Sequence, residues 1–198
     1  WGYIYDQIGD NGFQKYTDIP IKVLENVDQV VTYGTSRVAV TKTKELYYWG
    51  LCLGKCMYTP EIIYSNVKKV ALGEQLEVLT DKDELYCCEN NQNEILFRKV
   101  LENVKDFALE YSYTIALNEK GEIYCWGKNE SGQIGNGTTN DQLVPNKILD
   151  NINKIGKDVS IYKGSTTSIV IDKEGNLYSW GYNRYGQVGN GTLIDQYT

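Results

Sequence analysis

The apolar residues of this chain fall in short runs separated by polar breaks. One interval reads Val27-Asp-Gln-Val-Val-Thr-Tyr-Gly34, then Arg37-Val-Ala-Val-Thr41, then Glu45-Leu-Tyr-Tyr-Trp49. Val, Ile, Thr, Tyr and Trp dominate the runs, and Gly, Asn, Asp and Lys punctuate them, which is the composition of strands and turns. No segment sustains helical periodicity. Lys120-Gly121 and Glu174-Gly175 stand between adjacent runs, where a tight hairpin needs a positive φ that Gly adopts without steric cost.

The runs repeat. Glu45-Leu-Tyr-Tyr-Trp-Gly50, Glu84-Leu-Tyr-Cys-Cys-Glu89, Glu122-Ile-Tyr-Cys-Trp-Gly127 and Asn176-Leu-Tyr-Ser-Trp-Gly181 align, with Trp1-Gly2 as a fifth, shortened copy. The resulting column, Trp1, Trp49, Cys88, Trp126 and Trp180, has spacings of 48, 39, 38 and 54 residues. A second frame precedes it: Pro20 to Val27, Pro60 to Val67, Phe97 to Val104 and Pro145 to Ile152, each ending in Asn and Val or Ile. All three prolines of the chain share one column of that frame. About four short strands per unit of roughly 40–50 residues predict propeller blades. The expected architecture is all-β, with blades of four antiparallel strands, about four blades being present as part of a ring of about seven. The chain reads as a single repeat domain over 1–198, an open fragment of a propeller, with approximate repeats 1–48, 49–87, 88–125, 126–179 and a partial 180–198. The Trp column is expected to fill the wedge between neighbouring blades. Cys88 should make that wedge thinner in its copy.

Lys120-Gly-Glu-Ile-Tyr-Cys-Trp-Gly-Lys-Asn-Glu-Ser-Gly-Gln-Ile-Gly135 and Glu174-Gly-Asn-Leu-Tyr-Ser-Trp-Gly-Tyr-Asn-Arg-Tyr-Gly-Gln-Val-Gly189 resemble the repeat of the regulator of chromosome condensation family. The pattern survives in part at Gln7-Ile-Gly9 and is lost after Trp49 and Cys88. The resemblance implies a β-propeller acting as a protein-binding platform. Some members are exchange factors for small GTPases, some bind chromatin, and one bacterial type resembles a β-lactamase inhibitor. The family usually carries a His in the strand before the Trp-Gly hairpin. This chain has no His, and Tyr113 and Thr167 stand near that position, which weakens a place in the eukaryotic exchange-factor branch.

Composition narrows the chemistry. Without His, no Ser-His-Asp or Cys-His arrangement can form within the chain. No Walker loop is present, and Gly132-Gln-Ile-Gly-Asn-Gly137 lacks the Lys-Ser/Thr that phosphate cradling needs. Asp81, Asp83 and Glu84 read as a polar turn rather than a Ca²⁺ loop. Cys87, Cys88 and Cys125 read as buried thiols, while Cys52 and Cys56 leave two readings, a local disulfide or free thiols. The sequons at Asn129, Asn136 and Asn190 carry little weight, the last two belonging to the repeat's own Gly-Asn-Gly-Thr turn. No cofactor or metal is expected. Net charge is −6, which opposes nonspecific nucleic-acid binding. No run approaches the length of a transmembrane helix.

The remaining candidates are aromatic residues after the Trp-Gly hairpins: Tyr3, Tyr5, Tyr58, Tyr182 and Tyr185, with Arg184. They are expected in loops, as partner-binding residues or as packing against adjacent blades. The function expected is a non-enzymatic protein-binding scaffold. The alternatives are exchange activity on a small GTPase, and a secreted enzyme inhibitor or adhesin. The chain opens on the repeat Trp and stops at Gln196-Tyr-Thr198, where Pro would follow. It is therefore expected to be an excerpt of a longer protein; the alternatives are self-association of two chains through open blade edges to complete a ring, and closure of four blades by themselves.

Overall fold

A computed structural model describes residues 19–52, 55–91, 94–156 and 167–198, together with the short strands Gly2–Tyr3 (β1) and Tyr16–Thr17 (β2). Among these residues every regular element is a strand. Three sheets have four strands in sequential antiparallel order. The first is β3 (Val27–Tyr33), β4 (Ser36–Thr41), β5 (Leu46–Cys52) and β6 (Lys55–Tyr64). The second is β7 (Val67–Leu72), β8 (Leu76–Thr80), β9 (Leu85–Asn91) and β10 (Glu94–Leu101). The third is β11 (Val104–Glu110), β12 (Tyr113–Asn118), β13 (Ile123–Gly127) and β14 (Gln142–Leu149). A fourth sheet has three strands: β15 (Ile152–Ile155), β16 (Thr167–Asp172) and β17 (Leu177–Gly181). These are the blades expected from the sequence. The chain divides into two compact units, Trp1–Lys99 and Val100–Thr198.

Burial follows strand position. The second strand of each complete sheet is covered on both faces, so β8 and β12 read as unbroken buried runs rather than alternating ones. In the first unit, Val38, Leu46, Tyr48, Val70, Leu76 and Val78 form one core; in the second, Ile115, Ile123, Ile134, Ile152, Val170 and Trp180 form another.

The Asn of the second frame has a backbone role. Asn26, Asn66, Asn103 and Asn151 all have φ between 55° and 63°, a left-handed conformation that Asn tolerates better than most residues. Each offers its carbonyl to the turn of its own sheet: Lys42, Asp81, Glu119 and Lys173 donate backbone N–H bonds of 2.8–3.0 Å to them. A bulge follows at the same place in each of these four sheets, at Val27/Gln29, Val67/Lys69, Val104/Asp106 and Ile152/Lys154. The hairpin glycines Gly121 and Gly175 have φ of 87° and 90°, as the sequence requires, while Lys44 and Asp83 take the left-handed position in the other two copies.

Two loop placements are corrected. Tyr58 lies within β6, where the Cys52–Lys55 hairpin extends β5 and β6 past Gly50 and turns an expected loop into ladder. Tyr3 lies in β1, paired with Tyr16. Tyr5 falls outside the described residues. Cys56, in β6 opposite Leu51, is a free thiol.

Candidate functional site

In the second unit, the loops after Trp126-Gly127 and Trp180-Gly181 are built alike around a fully buried Asn. Asn129 Nδ2 donates to the carbonyls of Thr138 (2.8 Å) and Asn140 (3.0 Å), and its Oδ1 accepts from Ile134 N (2.9 Å). Asp141 Oδ1 accepts from Asn129 N (3.0 Å). Asn183 repeats this with Thr192 O (3.0 Å), Ile194 O (3.0 Å), Val188 N (2.9 Å) and Asp195 Oδ1 (2.8 Å). One side-chain amide thus closes each loop internally and fixes its shape. Burial of Asn129 also removes it as a glycan acceptor, while Asn136 and Asn190 each accept from the Thr two residues on, as turn residues do.

The loop after Trp126 is a seat for the following blade. The Gln133 carbonyl accepts both the Trp180 indole N–H (2.9 Å) and the Ser168 hydroxyl (2.7 Å). A Cβ on Gly135 would lie 2.5 Å from Trp180 Nε1, so the last Gly of the Gly-Gln-Ile-Gly motif is the surface on which the indole rests. Behind it, the Tyr113 hydroxyl is 2.8 Å from Ser168 Oγ and 3.2 Å from Cys125 Sγ. Since Ser168 gives its one proton to Gln133, it accepts from Tyr113. Burial pushes the Tyr113 hydroxyl well above its ordinary value and the Cys125 thiol to about 12, so both stay neutral. Thr167, the other residue near the family's His position, donates instead to Tyr182 O at 2.7 Å. Trp180 is therefore packing, as expected; Trp49 and Trp126 are buried, Cys88 is buried at its place in the first unit, and Trp1 lies outside the described residues.

A second feature repeats in the second and third sheets. Glu84 accepts from Tyr86 OH (3.1 Å) and Lys99 Nζ (3.1 Å); Glu122 accepts from Tyr124 OH (3.2 Å) and Lys147 Nζ (2.6 Å). The signal was present as Glu-x-Tyr in the hairpin with Lys two residues after the start of the Pro frame. In β6 the Lys position is Ile62, opposite Tyr47. The Lys147 ammonium and the Asn118 amide hold the Glu122 carboxyl at about 2 against an ordinary 4.5. A depressed folded value means that the charged form stabilises the fold above the ordinary range, and that this contribution is lost as pH falls from 4.5 towards about 2. Acid titration of stability should therefore show a shallower decline over that window for Glu122→Gln than for the parent protein; identical acid limbs would contradict the assignment.

The sequence-selected residues separate into groups. Tyr182 and Tyr185 come together, ring centroids 6.2 Å apart, with Arg184 exposed between them. Leu193, whose Cδ2 would be 3.8 Å from a Cβ on Gly186, and Ile194 expose apolar surface on the same loop. Tyr58 is exposed in the first unit. Tyr185 takes the position held by Ser131 in the preceding loop. Both backbone N–H groups donate to the Gln two residues on, yet Ser131 is 7% exposed and Tyr185 79%.

The fold and these loops define a propeller-blade repeat protein. Models of the regulator of chromosome condensation (RCC1) repeat match residues 120–171, and residues 104–133 and 157–187. RCC1 repeats are therefore present within residues 104–187. The chain is 35% identical over 95 residues to the ultraviolet-B receptor UVR8 of Arabidopsis thaliana, spanning 47% of this chain and 21% of that protein. It is 40% identical over 80 residues to the RCC2 homolog of Xenopus laevis, spanning 40% of this chain and 15% of that protein. The chain thus spans about a fifth or less of these relatives. Among solved structures, human WBSCR16 aligns with a TM-score of 0.72 at 19% identity, over 98% of this chain and 58% of that one. Prp20p of Saccharomyces cerevisiae aligns at 0.70 and 18%, over 100% and 54%. At such identities the likeness is one of fold.

Proposed function

We propose that this protein is a non-enzymatic, protein-binding platform and that its contact surface includes Tyr182, Arg184 and Tyr185. The observation that carries the reading is the aromatic and apolar group on one internally closed loop: exposed Tyr185, Leu193 and Ile194, with half-buried Tyr182 beside Tyr185, around the buried Asn183. A loop already held by its own hydrogen bonds loses little freedom on binding, and Tyr and Arg anchor interfaces at low entropic cost. The net charge of −6 favours a partner with a basic face over nucleic acid. Prp20p has been described with its binding to Gsp1p and histones, which supports a platform role for the fold; the partner proposed here is a protein of unknown identity.

The test is capture of a partner by the parent protein and by Arg184→Ala/Tyr185→Ala. Both side chains are exposed, so the melting temperature should stay close to that of the parent while capture falls at least about tenfold. Unchanged capture would dismiss this loop as the contact surface. Tyr3, Tyr5 and Tyr58 remain proposals of the same kind, to be tested singly by alanine substitution.

A further inference from the structure

In the second unit β15 packs against β11 and β12, and a cavity of about 240 Å³ opens between them. Leu117 and Ile155, both buried, form its apolar side; Lys105, Asp106, Asn153 and Lys154 form the rest. Consecutive residues of a regular strand point to opposite faces, so neither Lys105 with Asp106 nor Asn153 with Lys154 would ordinarily share one cavity. The bulges bring them together. Val104 pairs with Asn118 and Asp106 with Leu117, which leaves Lys105 as the extra residue of β11. Asn153 is the extra residue of β15 in the same way, between Ile152 and Lys154.

The first unit shows what spans the equivalent place. There β3 packs against β7, and Gln29 Nε2 donates to the Lys68 carbonyl at 2.9 Å. Asp106 and Asn153 hold the corresponding bulge positions in β11 and β15. Asp106 is one methylene shorter than Gln29, and an ionised carboxylate has no proton to give a carbonyl, so it cannot repeat that bridge. Its Oδ1 instead accepts from Phe107 N at 2.9 Å. The charges differ as well. Asp28 and Lys69 of the first unit are opposite in sign, whereas Lys105 and Lys154 at the same two positions are alike. Both lysines are exposed, and no ion pair among the described residues includes either, while Lys68 is paired with Asp83. Two ammonium groups against one carboxylate leave this lining positive in a chain of net charge −6.

From this geometry we infer that the cavity between β11 and β15 binds a phosphate-type oxyanion. Lys105 and Lys154 supply two charge-assisted donors, and the Asn153 amide supplies a neutral third. Ammonium groups meet phosphate as point charges, whereas a planar carboxylate is matched better by the fork of a guanidinium; among the described residues no Arg lines the cavity. The occupant is the free ion or the phosphoryl head of a monoester. This site shares no residue with the Tyr182–Tyr185 loop, so the two readings stand or fall separately.

The probes are inorganic phosphate and glycerol 3-phosphate, titrated into the isotope-labelled full chain and followed at the backbone amides of Lys105, Asn153 and Lys154. The shifts at these amides should saturate. Lys105→Gln and Lys154→Gln should each weaken binding at least about tenfold. Lys22→Gln, which removes an exposed lysine of the first unit, should leave the affinity unchanged. All three side chains are exposed, so the unfolding transition should move no more than a surface substitution moves it. Tighter binding of the monoester would identify it as the occupant, and equal or weaker binding would identify the free ion. Shifts that rise linearly without saturating overturn the inference. An equal loss for all three substitutions overturns it too, since the effect would then be one of net charge rather than of this cavity.

Discussion

Gly135→Ala is expected to destabilise the protein by roughly 2–5 kcal/mol, the sum of a left-handed conformation that Ala resists and a forced overlap with the Trp180 indole. Gly135 has φ of 79°, and its new Cβ would meet Trp180 Nε1 at 2.5 Å and Cδ1 at 2.9 Å. The indole cannot retreat without breaking its 2.9 Å bond to the Gln133 carbonyl. Gly189 is a matched control. Its φ is 77°, and a Cβ there meets nothing within 4 Å, so Gly189→Ala carries only the conformational part, about 1–2 kcal/mol. Urea unfolding followed by circular dichroism would read both. In a Trp180→Ala background the Gly135→Ala loss should shrink towards that of Gly189→Ala. Equal losses for the two glycines in the parent protein would remove the seat from the account.

Asn129→Ala should cost about 2–4 kcal/mol, because it leaves Ile134 N and the carbonyls of Thr138 and Asn140 without the partner that closes the loop. Ile134 belongs to the core of the second unit, so the loss would extend beyond the loop. Asn129→Asp separates hydrogen bonding from size. It keeps an acceptor for Ile134 N but turns the donor face into a second acceptor against two carbonyls. A fully buried carboxylate there resists ionisation, so the Asp variant should lose stability as pH rises through the carboxylate range, while the Ala variant should show no such slope. Parallel pH profiles for the two variants would contradict the hydrogen-bond assignment.

The sequence disclosed the blades because each has a marker that physics keeps in one place. Trp49, Trp126 and Trp180 are large aromatics needed in a wedge, and the Asn before each first strand holds a left-handed turn ahead of a bulge. Pairings across copies were hidden. Nothing in the spelling of Gly132-Gln-Ile-Gly135 says that the Gln133 main-chain carbonyl, not its side chain, receives the indole of the next copy. The Trp-Gly pair predicts a loop around Tyr58, whereas Leu51 and Cys56 pair directly and carry the ladder onward. The candidate loop was legible as Tyr182, Arg184 and Tyr185, since aromatics outside the repeat pattern stand out. Its rigidity was not, because Asn129 and Asn183 look like ordinary turn residues until their amides are found buried.

The whole arrangement turns on one contact, the Trp180 indole on the carbonyl of the preceding loop. Hydrogen exchange of the four tryptophan indole protons, assigned with Trp180→Phe, would examine it directly. The Trp180 proton should be protected to nearly the same degree as the strand amides of β16 and β17. Exchange at the rate of an open indole, with those strand amides still protected, would show that the loop after Trp126 is not the seat of the next blade.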